Sequence, residues 1–530
     1  MSAGRDWERY LGGLCDVPAL GFRLDTGRMR LQEQALAELT QKFDGAFDAM
    51  QAIEDGAVAN LTEGRRVGHY WLRAPHLAPD PQIRRAIEDA AMQIKEFAAR
   101  VLDGSIRPPA AAGAKFTDML LVGIGGSALG PQFIADALGG ADDPVRPHFI
   151  DNTDPEGIAR TLAALGSRLA QTLVIVTSKS GGTIETRNGM IELQHAFRQR
   201  DLSFPQQAVA VTGEGSALHR TAQEQRWLAT FPMWDWVGGR TSQTSAVGLL
   251  PAALQGIDVR RFLEGAAACD EATRVRDLRG NPAAMLAATW HVAGAGRGER
   301  MMIVVPYRDR LVLFGRYLQQ LVMESLGKSH TRAGAPVAQG LTVFGNKGST
   351  DQHAYIQQLR DGRDDFFVLF LHTLEDGCPP TVDVEPDTTS GDYLLGFMLG
   401  TRAALSEKGR RSMTLTLPRI DAFSLGALIA LFERAVGLYA ELIDVNAYDQ
   451  PGVEAGKKAA SEALALQRAA LRLLRTRTDA AFSADEIARA LGCPESVADL
   501  HLILERLAAN PARSVSAEGE DSLVRRYRAG

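Results

Sequence analysis

The sequence predicts an α/β protein: two tandem doubly wound parallel-sheet units with helical segments at both ends. Three observations carry this expectation. From residue 116 onward, nearly continuous Val/Ile/Leu runs alternate with stretches of helical periodicity, the pattern of a parallel sheet covered on both faces. The alternation lapses after residue 212 and restarts at residue 300. The chain, 530 residues and 45% apolar, is too long for one core and by length alone suggests roughly three or four domains.

The elements follow in order. Stretches 29–53 and 81–102 space apolar residues helically between charges, so 1–110 reads as a helical segment. The loop Pro108-Pro109-Ala-Ala-Ala-Gly-Ala marks a boundary. In the first unit, 111–295, strands are expected at 116–125, 145–151, 173–177 and 207–212, with helices up to 138 and over 155–169 and 184–200. The second unit, 296–450, has strands at 300–306, 341–345, 365–372 and 412–417, with helices at 311–326, 351–359, 393–407 and 425–443. No letter-for-letter repeat accompanies the restart, so the duplication is architectural. A helix over 453–475 makes the segment 451–477. The extension 478–530 carries helices at 483–491 and 494–508; they match a helix-turn-helix in pattern only, and a surface-packed extension accounts for them without DNA.

Composition excludes several classes. A formal net charge of −6 gives no basic face for a nucleic-acid backbone. Cys15, Cys269, Cys378 and Cys493 are far apart, without metal-ligand or redox-pair spacing, and read as reduced cytosolic thiols. The N-terminus is charged where a signal peptide needs an apolar stretch. No uninterrupted apolar run approaches the ~18 residues of a membrane span. The expectation is a soluble, cytoplasmic protein with no membrane or nucleic-acid partner.

The segment Val176-Thr-Ser-Lys-Ser-Gly-Gly-Thr-Ile-Glu185 is the richest in chemistry. A buried strand empties into Ser178, Lys179, Ser180, two glycines and Thr183, where a helix starts. Close backbone approach, short hydroxyl donors and helix N-terminal amides suit a single phosphate dianion. The plainer alternative is a loop in which Thr183 and Glu185 merely cap the helix. Gly123-Ile-Gly-Gly-Ser-Ala128 follows another strand; with Asp151 it fits a relaxed dinucleotide fingerprint, though glycine turns near any ligand look the same, and Ser127 offers a hydroxyl to a phosphate or sugar oxygen. Val237-Gly-Gly-Arg240-Thr-Ser242 leaves room for Arg240 to lie against a ligand as a fixed cation, or to bridge two loops. Glu324 falls one helical turn after Gln320, so both can face one cleft, and a carboxylate beside a carbon α to a carbonyl is the usual base; most glutamates near a helix end are simply solvated. His353, in the first turn of a helix after Gly345-Asn-Lys-Gly, feels the positive helix end and tends to stay neutral. Tyr448-Asp-Gln450-Pro-Gly-Val-Glu-Ala-Gly-Lys457 repeats the theme of loop, helix start and lysine.

Taken in order, the stretches 123–131, 176–185, 237–242, 323–328 with 345–359, and 450–457 resemble the glucose-6-phosphate isomerase family across roughly residues 40–475. The resemblance implies two flavodoxin-like sugar-isomerase domains, a homodimer with shared active sites, no metal and no organic cofactor. It implies reversible isomerisation of glucose 6-phosphate and fructose 6-phosphate, in glycolysis and gluconeogenesis, through a cis-enediol. By its motifs Gly126, Ser127, Ser178, Lys179, Ser180 and Thr183 bind substrate at its phosphate end. Glu324 is the base between C2 and C1, and Arg240 stabilises the enediolate. His353 opens the ring, oriented by Glu185 and reaching the partner's site. Lys457 serves ring and hydroxyl oxygens, and Gln320 and Gln450 flank the substrate. The sequence departs from the family at Leu326, where many members have Asn, and at Ser180-Gly181-Gly182, where the phosphate loop usually carries more hydroxyls and aromatics. Its longer 345–352 loop resembles the plastid and cyanobacterial type.

The residue chemistry points the same way: an anion cup, a carboxylate, an acid/base and a cation are what aldose–ketose isomerisation requires. Two other readings compete. A non-catalytic phosphosugar sensor with a helical output module has no use for both Glu324 and His353. A nucleotide-dependent oxidoreductase built on 123–128 gives no role to Lys179, Arg240 or Lys457.

Overall fold

Parallel sheets form where the apolar runs lie, and the computed structural model, which describes residues 3–109, 113–379 and 382–530, adds strands that no run announced. The first of these are β1 (Leu14–Val17) and β2 (Phe22–Asp25), an antiparallel hairpin inside the segment expected to be helical. Four-residue strands are too short for a period-2 pattern to register. The expected helices follow at Glu33–Glu54 and Pro81–Asp103. The second has clear punctuation: the Asp80 side chain accepts from Gln82 N, proline opens the first turn, and Gly104 closes the helix at φ +85°. Of the loop read as a boundary, residues 110–112 lie outside the described residues.

The first sheet holds β3 (Asp118–Val122), β4 (Arg146–Ile150), β5 (Thr172–Ser178), β6 (Ala208–Thr212) and β7 (Ala229–Pro232), all parallel, in the order β4-β3-β5-β6-β7. Every residue of β3, β5 and β6 is buried, so these strands show no alternation. The unread β7 is a short edge strand ending in proline, which an edge tolerates. The order is the flavodoxin-like 2-1-3-4-5, with its switch point between β3 and β5.

The second sheet repeats that order with β8 (Met301–Pro306), β9 (Val343–Phe344), β10 (Phe366–Thr373) and β11 (Ser412–Leu417), arranged β9-β8-β10-β11 and parallel. The N-terminal hairpin extends it antiparallel, β2 against β11, so this sheet is mixed and borrows from residues assigned to a separate segment. Three helices between the sheets were not anticipated: Ala246–Leu254, Val259–Thr273 and Pro282–Ala293. The first and third are apolar nearly all round and therefore lack a helical period.

The helix Ala422–Leu442, expected over 425–443, is long and apolar enough to cross a membrane by length and composition, yet 89% of its most apolar window is buried in the protein. Glu433 and Arg434 interrupt its run. They enter a buried network in which Asp270 accepts from Arg73 and Arg434, Arg73 also pairs with Glu433, and Arg434 with Glu54.

The chain divides into compact units 1–449 and 450–530. The second contains helices Pro451–Thr476, Ala484–Leu491 and Val497–Ala508, then a hairpin of β12 (Val515–Glu518) and β13 (Arg526–Ala529). Phe482 bridges Tyr527 as a rudimentary third strand. Helices plus hairpin make the topology of a winged helix-turn-helix around a core of Leu474, Ile487, Leu500 and Leu504. The hairpin was missed because charges and serine interrupt it.

Candidate active site

Two glycine turns meet at the switch point of the first sheet. After β3, Gly125 adopts φ +59°, and a Cβ on Gly126 would lie 2.0 Å from the carbonyl oxygen of Gly239. The turns carrying Ser127 and Arg240 therefore touch backbone to backbone, which only glycine permits. A Cβ on Gly125 would sit 3.2 Å from Gln320 Nε2, so Gln320 reaches the same place.

After β5, the loop folds on its own hydroxyls. Ser178 Oγ accepts from Gly181 N at 3.1 Å and donates to Thr183 Oγ1 at 3.2 Å; Ser180 Oγ accepts from Gly182 N at 3.1 Å. Gly181 has φ +69°, and a Cβ there would strike Leu218 N at 2.3 Å. Thr183 stands at the N-cap of helix Ile184–Arg198 without making a side-chain capping bond. The capping alternative weighed for this loop is thus not what Thr183 does.

Lys179 Nζ donates to the carbonyls of Asp235 at 2.9 Å and Val237 at 3.0 Å. It ties the hydroxyl loop to the segment that leads into Arg240. Burial pushes its ammonium down to about 8.

Arg240 is held from several sides. Its Nη1 donates to Ala447 O at 3.0 Å and Ser325 Oγ at 3.2 Å, its Nη2 donates to Asp449 O at 3.0 Å, and its Nε lies 3.2 Å from Glu324 Oε2. The Arg240 side chain is 5% exposed and that of Glu324 24%, so the carboxylate keeps an open side while the guanidinium does not. Burial lowers the Arg240 pKa, with Glu324 and Asp449 opposing. Glu324 closes a π-helical turn, Gln319–Glu324, that continues Phe314–Leu318, so the helix expected over 311–326 is broken into parts. π-helical turns recur at functional sites. Leu326, at the family's Asn position, packs in the core.

His353 corrects one expectation. It ends a 3-10 turn, Thr350–His353, and the following helix starts only at Ile356, so it is not in a helix first turn. The turn is firmly built: Asp351 is buried and accepts from Asn346 N at 3.2 Å and from Tyr355 Oη, while Gln352 Nε2 donates to Phe397 O at 2.9 Å. His353 itself is exposed, and no contact among the described residues joins it to Glu324 or Glu185. Glu185 is half-buried in the first turn of its helix. Gln450 and Lys457 belong to the other unit, at the N-cap and second turn of Pro451–Thr476.

The sequence reading gave no role to two residues the structure places here. Lys328 Nζ donates to Glu324 O at 3.1 Å and to Asp449 O at 2.8 Å, and lies 2.9 Å from Asp449 Oδ1. Its spacing of four from Glu324 was the available signal; Asp449 had none. Chemically, a hydroxyl-and-amide cup, a half-open carboxylate and a buried guanidinium suit proton abstraction next to a carbonyl on an anchored anionic substrate.

The family model for phosphoglucose isomerase matches residues 25–374 and 401–474. A glucose-6-phosphate isomerase of Synechococcus sp. (strain JA-3-3Ab) is 56% identical over 516 residues, covering 97% of this chain and 96% of that protein. The one from Geobacter sulfurreducens is 56% identical over 526 residues, 99% of each. Among solved structures, a glucose-6-phosphate isomerase from Chlamydia trachomatis D/UW-3/Cx superposes with TM-score 0.78 at 26% identity, covering 89% of this chain and 94% of that one.

Proposed function

The chain belongs to the phosphoglucose isomerase family, and from that premise we propose how its residues share the work. It catalyses the reversible isomerisation of glucose 6-phosphate and fructose 6-phosphate, a step of glycolysis and gluconeogenesis. In our reading Ser127, Ser178, Lys179, Ser180 and Thr183 hold the phosphate, and Gly126 contacts the substrate beside them. His353, oriented by Glu185, moves the proton that opens the ring, and Lys457 attends the ring and hydroxyl oxygens. Glu324 takes the proton from C2 and returns it at C1, while Arg240 stabilises the cis-enediolate between. Gln320 and Gln450 flank the sugar.

One observation carries this reading: the half-open Glu324 carboxylate lies 3.2 Å from a buried guanidinium whose turn packs on Gly126. A base, a cation for the developing oxyanion and an anchor then serve one substrate. A non-catalytic sensor finds no support beside this pairing and the isomerase relatives.

Three coarser readings accompany it. The exposure of His353 within one chain supports a homodimer in which each His353 serves the other subunit's site. The free thiols Cys15, Cys269, Cys378 and Cys493 support a cytoplasmic location. The repeated strand order supports 111–295 and 296–450 as the two sugar-isomerase domains, flanked by 1–110, with 451–477 as the helix that carries Lys457 and 478–530 as an appended unit.

The test is turnover of fructose 6-phosphate in D2O, following deuterium at C2 of glucose 6-phosphate. Glu324→Gln is expected to retain substrate binding and to lose kcat by about 10²–10⁴-fold together with the label. Undiminished incorporation in Glu324→Gln would remove Glu324 from the base role.

A further inference from the structure

Lys328 ends the same motif as Glu324, and the reaction steps assigned above make no use of it. It is buried, its ammonium donates to two carbonyls, Glu324 O at 3.1 Å and Asp449 O at 2.8 Å, and it forms an ion pair with Asp449 Oδ1 at 2.9 Å. Asp449 is itself anchored, its Oδ2 accepting from Thr62 Oγ1 at 2.5 Å and Asn446 Nδ2 at 3.0 Å. The carbonyl oxygen of Asp449 also accepts from Arg240 Nη2 at 3.0 Å, and Arg240 Nε returns to the Glu324 carboxylate at 3.2 Å. The contacts close a ring: Lys328 to the Glu324 backbone, the Glu324 side chain to Arg240, Arg240 to the Asp449 carbonyl, and that carbonyl back to Lys328.

We propose that Lys328 is a positioning residue for the isomerisation, pinning the helix end that carries Glu324 to the carbonyl that also holds Arg240, and so setting the separation of base and cation. The proposal rests on the assignment of Glu324 and Arg240 made above. A lysine near a helix C-terminus often does no more than satisfy the last carbonyls. Two features go further here. Asp449, which supplies both a carbonyl and the ion-pair partner, lies 121 positions away in sequence, and its carbonyl is shared with the guanidinium at the site. Burial lowers the Lys328 pKa, and the bond and charge of Asp449 oppose it.

The two roles separate by substitution. A capping cation is replaced adequately by arginine, which also suits a helix C-terminus. A ring closed by a compact tetrahedral donor is not, because the guanidinium is longer and presents its N–H groups in a plane. The experiment compares wild type, Lys328→Gln, Lys328→Arg, Asp449→Asn and Glu324→Gln as full-length proteins. Each is measured for thermal unfolding, for kcat and KM with fructose 6-phosphate, and for deuterium uptake at C2 in D2O. Both Lys328 variants are expected to keep KM within a few-fold of wild type and to lose kcat by about 10–100-fold, the scale of a slightly misplaced catalytic group, with label uptake falling in parallel. Asp449→Asn, which keeps the carbonyl, is expected to fall between them and wild type. Wild-type kcat in the Lys328 variants beside a lowered unfolding temperature, or full rescue by arginine, overturns the proposal in favour of a cap. Should neither Lys328 variant fold, Asp449→Asn decides by the same split, wild-type kcat overturning it. Failure of the underlying assignment reads differently: Glu324→Gln would then keep its turnover.

Discussion

Lys179 is the residue at this site with the largest consequence for pH. Its ammonium is held at about 8 by burial, against about 10.4 for a free lysine. In the role proposed for Lys179, the folded protein presents a cation to the phosphate end of the substrate below about pH 8, and a neutral amine above it. kcat/KM is therefore expected to fall as pH rises through about 8, a limb that reports the free enzyme, and a kcat/KM profile of Lys179→Met should lack that limb and start from a higher KM. The stability effect has the opposite sense. Between about 8 and 10.4 the unfolded chain binds the extra proton, so this group makes folding more favourable as pH rises over that window. The local chemistry of the cup was readable residue by residue, because glycine, hydroxyl and helix-start spacing are local properties. The backbone acceptors of Lys179 were not, since Asp235 and Val237 lie 56 and 58 positions away.

Helices buried on all sides carry their charges in pairs, and Ala422–Leu442 does so against Val259–Thr273. Burial pushes the Asp270 carboxyl up, but Arg434 and Arg73 more than reverse this and hold it below the ordinary carboxylate range. Burial raises Glu433 to about 7, with the Asp270 charge adding to it and the paired Arg73 and the more weakly acting Arg434 opposing. Asp270 is thus the centre of the network. Asp270→Asn leaves two buried guanidiniums short of a counter-charge and is expected to cost about 3–5 kcal/mol in urea unfolding, with kcat unchanged in the protein that remains folded. A loss below 1 kcal/mol would mean that water or a shifted side chain compensates. This network also marks a limit of local pattern. Glu433 and Arg434 broke an apolar run that the fold treats as continuous, because their partners Glu54, Arg73 and Asp270 come from distant elements.

At the scale of the whole molecule, the exposed His353 turn gives the shared-site dimer a sharp test. Mixing Glu324→Gln with a His353→Gln variant under subunit exchange is expected to restore about a quarter of wild-type activity, since half the dimers are mixed and each has one intact site; sites made within one chain would leave the mixture inactive. The appended unit has a winged topology, yet helix Val497–Ala508 exposes Ala498, Asp499, Leu502 and Arg506 rather than a basic row. No retention of duplex DNA is expected in a gel-shift assay even at about 50 mM salt, where backbone contacts are strongest. The sequence by itself determined the class of fold and the order of most strands, because strand burial, helix caps and glycine turns are written in neighbouring residues. Tertiary structure alone decided that an N-terminal hairpin completes the second sheet, that Gly126 meets Gly239, and that one carbonyl at Asp449 serves both Arg240 and Lys328. Those are contacts between residues hundreds of positions apart in some cases, and their geometry follows from packing, which no local pattern encodes.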